Sequence, residues 1–107
     1  MREIPESDWK YLRTIKDDML DTLCKRINDG ASLIYSNKKL SEYEKFRNLL
    51  EHIHEGQGRV ANCFDDWRRS TVIMKLLALH EERLLTKEHL SHFSTETRQR
   101  LRDLSEL

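Results

Sequence analysis

Glycine, proline and cysteine are all scarce in this chain of 107 residues, which has three, one and two of them respectively. So few glycines and prolines disfavour a β protein built from tight turns, and they favour helices. The two cysteines, Cys24 and Cys63, lie far apart among apolar neighbours. We therefore expect two reduced core thiols rather than a disulfide, and a cytoplasmic location.

An excess of charge and a long apolar run are also missing. The 19 basic residues balance 19 acidic ones; residues 1–55 hold 10 basic and 11 acidic residues, and residues 56–107 hold nine and eight. This even balance disfavours binding to nucleic acid or to an anionic membrane. No run approaches the ~18 apolar residues of a membrane span. The first ten residues have no apolar segment of the signal-peptide kind.

What the chain does contain is a helical pattern of apolar residues, which predicts an all-α fold. Ser7 is a suitable N-cap after a short tail over residues 1–6. The pattern that follows it indicates a short helix over 8–15 and a longer one over 17–35, with one continuous helix as the alternative.

The sequence SEYE, from Ser41 to Glu44, has the form of a capping box and marks the start of the next helix. The glycines of the GQG sequence at 56–58 are expected to break or bend the chain. Beyond them, a third amphipathic pattern predicts one long helix over about 59–82.

The conspicuous sequence FDDWRRS, residues 64–70, lies inside that predicted helix. Its tryptophan falls on the apolar face. Its two aspartates precede its two arginines by about one turn, a spacing at which such pairs stabilise a helix by about 0.2–0.5 kcal/mol each. The charges of this segment therefore need no active site to explain them.

In the C-terminal part, Thr86 is the expected N-cap of a short helix over 87–92, and Ser94 that of a last helix over about 95–105. The chain is thus predicted to be an all-α, compact single-domain bundle of five or six helices over residues 1–107. The apolar faces predict a core that includes Leu12, Leu23, Ile27, Phe46, Leu50, Phe64, Trp67, Met74, Leu77 and Leu101.

Four stretches of the chain, taken in their order and spacing, resemble a family of small uncharacterised bacterial proteins. They are SDWKYLR at 7–13, LCKRI at 23–27, FDDWRRSTVIMKL at 64–76 and LLTKEHLSHFSTETRQRL at 84–101. The resemblance covers about nine-tenths of the chain. It implies an all-helical, cytosolic, proteobacterial protein, and it supplies no activity.

Catalytic and metal-binding patterns are weak. The sequence HEERL at 80–84 lacks the second histidine of a zinc-protease helix. His89 and His92 are one turn apart and could share an ion with His80, but structural zinc sites usually have four closely spaced ligands. Neither cysteine has a histidine beside it, and no glycine-rich phosphate loop is present. We therefore predict no catalytic residue, no metal, no cofactor and no small-molecule substrate.

These exclusions leave a non-enzymatic protein-interaction domain that uses a helix face, binding another protein or a second copy of itself. The candidate partner contacts are Trp9, Tyr11 and the pair Arg68 and Arg69. The alternative is a small nucleic-acid-binding regulator with a helix-turn-helix-like C-terminal half, whose helix offers few base-reading side chains.

Overall fold

The structure, a computed structural model, describes residues 3–106. Over these residues the chain forms five α-helices, one 3-10 turn and no strand, so the all-α prediction is confirmed. The helices are α1 (Glu6–Tyr35), α2 (Glu42–Phe64), α3 (Val72–Glu81), α4 (Lys87–Ser91) and α5 (Thr95–Ser105).

Helix α1 runs without interruption for 30 residues. The predicted division at residue 16 is therefore wrong, and the continuous alternative is confirmed. Asp17 and Asp18 stay exposed, and the buried Leu12, Met19 and Leu23 form one uninterrupted stripe. A helix that packs along one continuous face gains nothing from a break.

The predicted tail over residues 1–6 is one residue too long, and the part of it that the structure describes packs on the rest of the molecule. Ile4 is only 1% exposed, and its carbonyl oxygen accepts two hydrogen bonds from the Arg69 guanidinium, at 3.2 and 3.0 Å. Glu6 already belongs to α1. Residues 1 and 2 lie outside the described part of the chain.

Helix α2 begins at the predicted capping box. The Glu44 amide donates to Ser41 Oγ at 3.1 Å, and the Ser41 amide donates to Glu44 Oε1 at 3.0 Å. The helix then continues through both glycines, so the predicted break at 56–58 is wrong. A Cβ on Gly56 would lie 2.8 Å from Ile27 Cγ2. The glycine thus permits α1 to approach closely, and this packing offsets its poor helix propensity of about 1 kcal/mol.

The FDDWRRS segment is where the chain reverses, so the prediction of one helix over 59–82 is wrong. Helix α2 ends at Phe64, Asp66 adopts a left-handed conformation with φ 55°, and the 3-10 turn Arg69–Thr71 leads into α3. Apolar spacing is the same before and after this turn, and it cannot distinguish one helix from two. The turn returns α3 along α2, which buries Ile73, Leu76 and Leu79.

The predicted N-caps of the two C-terminal helices, Thr86 and Ser94, are both confirmed. The His89 amide donates to Thr86 Oγ1 at 3.0 Å at the start of α4. The Thr97 amide donates to Ser94 Oγ at 3.2 Å at the start of α5. These two short helices lie at the same end of the molecule as α3.

The molecule is elongated, with extents of 51 × 24 × 24 Å, because α1 and α2 form a hairpin much longer than the other helices. Helix α3 has ten residues, about 15 Å, and contacts only the last turns of α2, where Lys75 Nζ donates to the carbonyl of Asn62 at 2.9 Å. No residue from 28 to 55 is buried. We call residues 28–55 the distal hairpin and the remainder of the described chain the body.

The core lies entirely in the body, which corrects part of the predicted set. Leu12, Leu23, Ile27, Phe64 and Leu101 are buried as predicted, and Trp67 and Leu77 pack against the core in part. The assignment of three others to the core is wrong. Phe46 and Leu50 are each 63% exposed because α3 ends before it reaches them, and Met74 is 51% exposed on the outer side of α3.

Candidate functional site

Four large apolar side chains lie exposed along the distal part of α2. Tyr43 is 67% exposed, Phe46 63%, Leu50 63% and Ile53 47%. Their spacing of three, four and three residues places them on one side of the helix. We call these four residues the apolar stripe. Leu33 and Tyr35 of α1 are exposed as well, near the tip of the hairpin.

The stripe faces outward because another side of α2 already packs on α1. His52 Nε2 lies 2.7 Å from the carbonyl oxygen of Ile27, and a Cβ on Gly30 would lie 2.6 Å from the His52 ring. Gly56, one turn further along α2, packs against Ile27. At 100° per residue, His52 and Gly56 lie about 100° or more around the helix from the centre of the stripe.

A shallow groove of about 350 Å³ lies at the body end of the stripe, between α1 and α2. Cys24 and Asn28 line it from α1, and Ile53, Gln57 and Val60 line it from α2. The stripe therefore has an aromatic end at the hairpin tip, at Tyr43, and a concave end ten residues later.

Charged side chains border the stripe. The Arg47 guanidinium lies 6.0 Å from the centre of the Tyr43 ring and 4.0 Å from Glu51 Oε1. Lys45 Nζ lies 3.5 Å from Glu42 Oε1 and 5.7 Å from the centre of the Tyr35 ring. Both signs are present at the rim, as in a protein-interaction surface with an apolar centre.

Sequence reasoning assigned two residues of this stripe, Phe46 and Leu50, to the core. Only the structure separates the two cases, because it shows that the helices after α2 have ten, five and eleven residues. Such short helices cannot cover both α1 and α2 along their whole lengths.

Two of the predicted partner contacts, Trp9 and Tyr11, are partly buried in the body. The Trp9 ring lies 6.4 Å from that of Trp67. The Tyr11 ring stacks on His92 at 4.6 Å and meets the edge of Phe93 at 5.3 Å. Burial, followed by the charge of Glu88, raises the pKa of Tyr11. These contacts within the chain account for both side chains, and their role in binding stays a prediction.

Arg68 and Arg69 are not brought together. Arg68 Nε lies 2.7 Å from Asp66 Oδ1, and this hydrogen-bonded pair lowers the pKa of Asp66. Arg69 instead binds the Ile4 carbonyl and lies 3.5 Å from Glu3 Oε2. Since the expected helix is absent here, the predicted pairing at one-turn spacing is wrong. Arg69 thus binds the N-terminal segment at Glu3 and Ile4 to the body, whereas Arg68 remains exposed.

A buried carboxylate that the sequence analysis missed lies at the junction of α1 and α5. Asp8 is only 2% exposed. Its Oδ1 accepts from the Ser94 amide at 2.8 Å, and its Oδ2 accepts from Ser94 Oγ at 2.6 Å and Thr97 Oγ1 at 2.5 Å. The position near two helix N-termini suits a negative charge. With its lone pairs used in this way, Asp8 holds two helices together and is a poor acid–base catalyst.

A second concave feature is a cleft of about 300 Å³ between α3, α4 and α5. It is lined by His80, Lys87, Arg98 and Arg102, by two serines and by two leucines, and none of the described residues that line it is acidic. Arg98 Nε is buried without a hydrogen-bond partner. Three of its eight lining residues, Lys87, Arg98 and Arg102, are cationic, and we call it the cationic cleft.

The histidines have separate contacts. His52 bonds to α1, His89 caps α4 and His92 stacks on Tyr11, whereas His80 lines the cationic cleft. Among residues 3–106, no group of three or more histidines, cysteines and carboxylates comes together in a geometry that could hold a metal ion.

Both cysteines are free. Burial raises the pKa of the Cys63 thiol, which favours its unreactive neutral form. Cys24 is only partly buried, at the wall of the groove beside the stripe.

Comparison with protein families, with curated proteins and with solved structures finds no match to this chain. The family resemblance of the four sequence stretches therefore stays a prediction. In the described chain, no helix combines the length and the apolar character that crossing a membrane requires.

Proposed function

We propose that this protein is a protein-interaction domain that binds its partner through the apolar stripe of the distal hairpin. The observation that carries the proposal is the exposure of four large apolar side chains, between 47% and 67%, along three turns of one helix. Monomeric proteins rarely expose contiguous apolar patches of more than a few hundred Å² without a binding role.

The composition of the stripe supports this role. Tyr43 and Phe46 are aromatic anchors of the kind that contributes much of the binding energy at protein interfaces. The helix beneath them is held by a capping box at Ser41 and by the His52 contact to α1. The stripe is therefore presented on a preformed helix, which lowers the conformational entropy lost on binding.

Site-specific photo-cross-linking tests the proposal. A photoreactive phenylalanine analogue replaces either Phe46, in the stripe, or Asn48, an exposed residue on the other side of α2. In cells that express the protein, we expect a discrete protein adduct from position 46 and none from position 48. Equal labelling from both positions, or none from position 46, would contradict the assignment of the stripe.

The cationic cleft favours a second candidate function, the binding of nucleic acid by the C-terminal helices. Lys87, Arg98 and Arg102 could contact phosphates, and such contacts would make the affinity fall steeply with salt. Titration of mixed DNA and RNA at two salt concentrations, with wild type and Arg102→Gln, tests this candidate. Binding that is absent at low salt excludes it.

A further inference from the structure

The two ends of the apolar stripe have complementary shapes. The tip end carries the protruding Tyr43 ring, which is 67% exposed, and the body end opens into the groove beside Ile53 and Gln57. Ten residues separate Tyr43 from Ile53, about 15 Å along the helix. A ligand that fits this surface needs a groove at one end and an aromatic side chain at the other.

We propose that the partner is a second copy of this chain, packed antiparallel on the stripe about a two-fold axis near residue 48. This inference rests on the proposed function of the stripe. The two-fold axis sets Tyr43 of each copy into the groove beside Ile53 of the other, and Phe46 against Leu50. Because an isologous interface uses the same patch twice, one surface supplies both the aromatic side chains and the grooves.

The size of the surface suits a homodimer. Four side chains of this kind, exposed by about 60% on average, present roughly 400–500 Å² of mainly apolar area. Homodimer interfaces are about 65% apolar, so this area corresponds to roughly 700 Å² per copy. Two copies would bury about 1,400 Å², within the usual range of about 1,200–2,000 Å² for stable complexes.

The charges at the rim are compatible with the same arrangement. Arg47 pairs with Glu51 of its own helix at 4.0 Å. An antiparallel copy centred near residue 48 brings Arg47 of one chain level with residue 49 of the other, two residues or about 3 Å along the helix from Glu51. Arg47 and Glu51 lie on the same side of α2, so these opposite charges come close to each other along one edge of the interface, which suits an antiparallel orientation.

Sedimentation equilibrium and circular dichroism of four proteins test the inference. They are wild type, Phe46→Glu, Leu50→Glu and the matched control Asn48→Glu, which adds the same charge away from the stripe. We expect wild type and the control to be dimers at about 100 µM. The two stripe variants should dissociate at least about 100-fold more readily while keeping the helical content of wild type.

The outcomes separate this inference from the proposed function. A monomeric wild type whose Phe46 cross-links to a different protein overturns the second copy and leaves the stripe as a binding surface. A monomeric wild type with no stripe-specific adduct overturns both. A dimer that persists in Phe46→Glu and Leu50→Glu shows that self-association uses another surface.

The native Cys24 provides a test of the orientation, because it lines the groove. In a Tyr43→Cys variant, the new thiol should react with Cys24 of the other copy through a short bis-maleimide and give a covalent dimer. Adding Cys24→Ser should abolish this product, and Asn48→Cys should not form it. A dimer in solution that yields no Tyr43→Cys product overturns the antiparallel arrangement.

Discussion

The body and the distal hairpin are built from the same two long helices, but only the body surrounds them with further elements. In the body, α3 packs on α2 and on α5, and Leu12, Leu23, Leu76 and Leu79 are completely buried. In the distal hairpin each helix has one neighbour, and no residue is buried. An amphipathic helix with one neighbour keeps part of its apolar side in water.

Amphipathic patterning therefore shows which side of a helix has to be covered, and it leaves open whether the same chain or a partner covers it. In the body, the same chain covers that surface. In the distal hairpin, the chain supplies only the close contact between its two helices, at Gly30 with His52. The remaining apolar side is available to a partner.

The largest expected effect comes from matched leucine truncations in the two regions. Leu76→Ala, at a completely buried position, should lower the free energy of unfolding by about 3–5 kcal/mol, because it leaves a cavity. Leu50→Ala, at a position 63% exposed, should change it by less than about 0.5 kcal/mol in dilute, monomeric protein. Urea denaturation measures both. Similar losses at the two positions would mean that the stripe is covered within the monomer.

The next effect concerns the link between α1 and α5 in the body. Asp8→Ala should lower the free energy of unfolding by about 2–4 kcal/mol, since Ser94 and Thr97 lose the carboxylate to which they donate. The exposed neighbour Ser7 gives the control, and Ser7→Ala should cost less than about 0.5 kcal/mol. Thermal unfolding measures both losses. An Asp8→Ala loss as small as that of Ser7→Ala would contradict the hydrogen-bonded junction of α1 and α5.

A pair of glycines in α2 should respond with opposite signs. Gly56→Ala places a Cβ 2.8 Å from Ile27 Cγ2, so it should destabilise the protein by about 1–3 kcal/mol. Gly58→Ala meets no atom within 4 Å and should stabilise it by about 0.5–1 kcal/mol through better helix propensity. Unfolding curves of the two variants give the comparison. If both variants were stabilised, α1 and α2 would not be in close contact at Gly56.

The smallest effect is the pH dependence of an ion pair in the body. The hydrogen bonds from Arg59 hold the pKa of Glu82 below its ordinary value of 4.5, so their stabilisation is complete above that pH and is lost as pH falls through the lowered pKa. Arg59→Gln should therefore cost about 0.5–1 kcal/mol at pH 7 and progressively less below pH 4.5.

The matched change in the distal hairpin is Arg47→Gln, because Arg47 and Glu51 are well exposed and 4.0 Å apart. In dilute protein, it should leave stability unchanged at every pH within about 0.3 kcal/mol. Chemical denaturation between pH 3 and pH 7 compares the two variants. An Arg59→Gln loss that does not depend on pH would place its origin in packing rather than in the charge of Glu82.

The local chemistry of the sequence predicted three of four N-caps correctly. The prediction of Ser7 is wrong, because α1 begins at Glu6 and Pro5 occupies its N-cap without a side-chain hydrogen bond. Ser41, Thr86 and Ser94 each accept a hydrogen bond from the backbone amide three residues later. Such a cap is predictable because all of its atoms lie within four consecutive residues. The apolar spacing also identified the side of α2 that carries the stripe. These features depend on neighbours in the sequence, and a pattern can therefore reveal them.

The candidate site depended on distant residues, and sequence reasoning misplaced it. Phe46 and Leu50 have the spacing of core residues, and only the length of α3 and the position of the turn after Phe64 leave them exposed. The buried contacts of Asp8 join it to residues 86 and 89 positions away. No local pattern indicates such a pair.

The helical class, the caps at Ser41, Thr86 and Ser94 and the apolar sides of the helices follow from the sequence alone, because propensity, capping and periodicity act within a few residues. The tertiary structure decided that α2 passes through Gly56, that the chain reverses at FDDWRRS and that residues 28–55 extend beyond the core. Each of these outcomes depends on which helix packs against which. The packing of two helices depends on contacts between residues that are distant in the sequence, such as the close contact between Gly56 and Ile27.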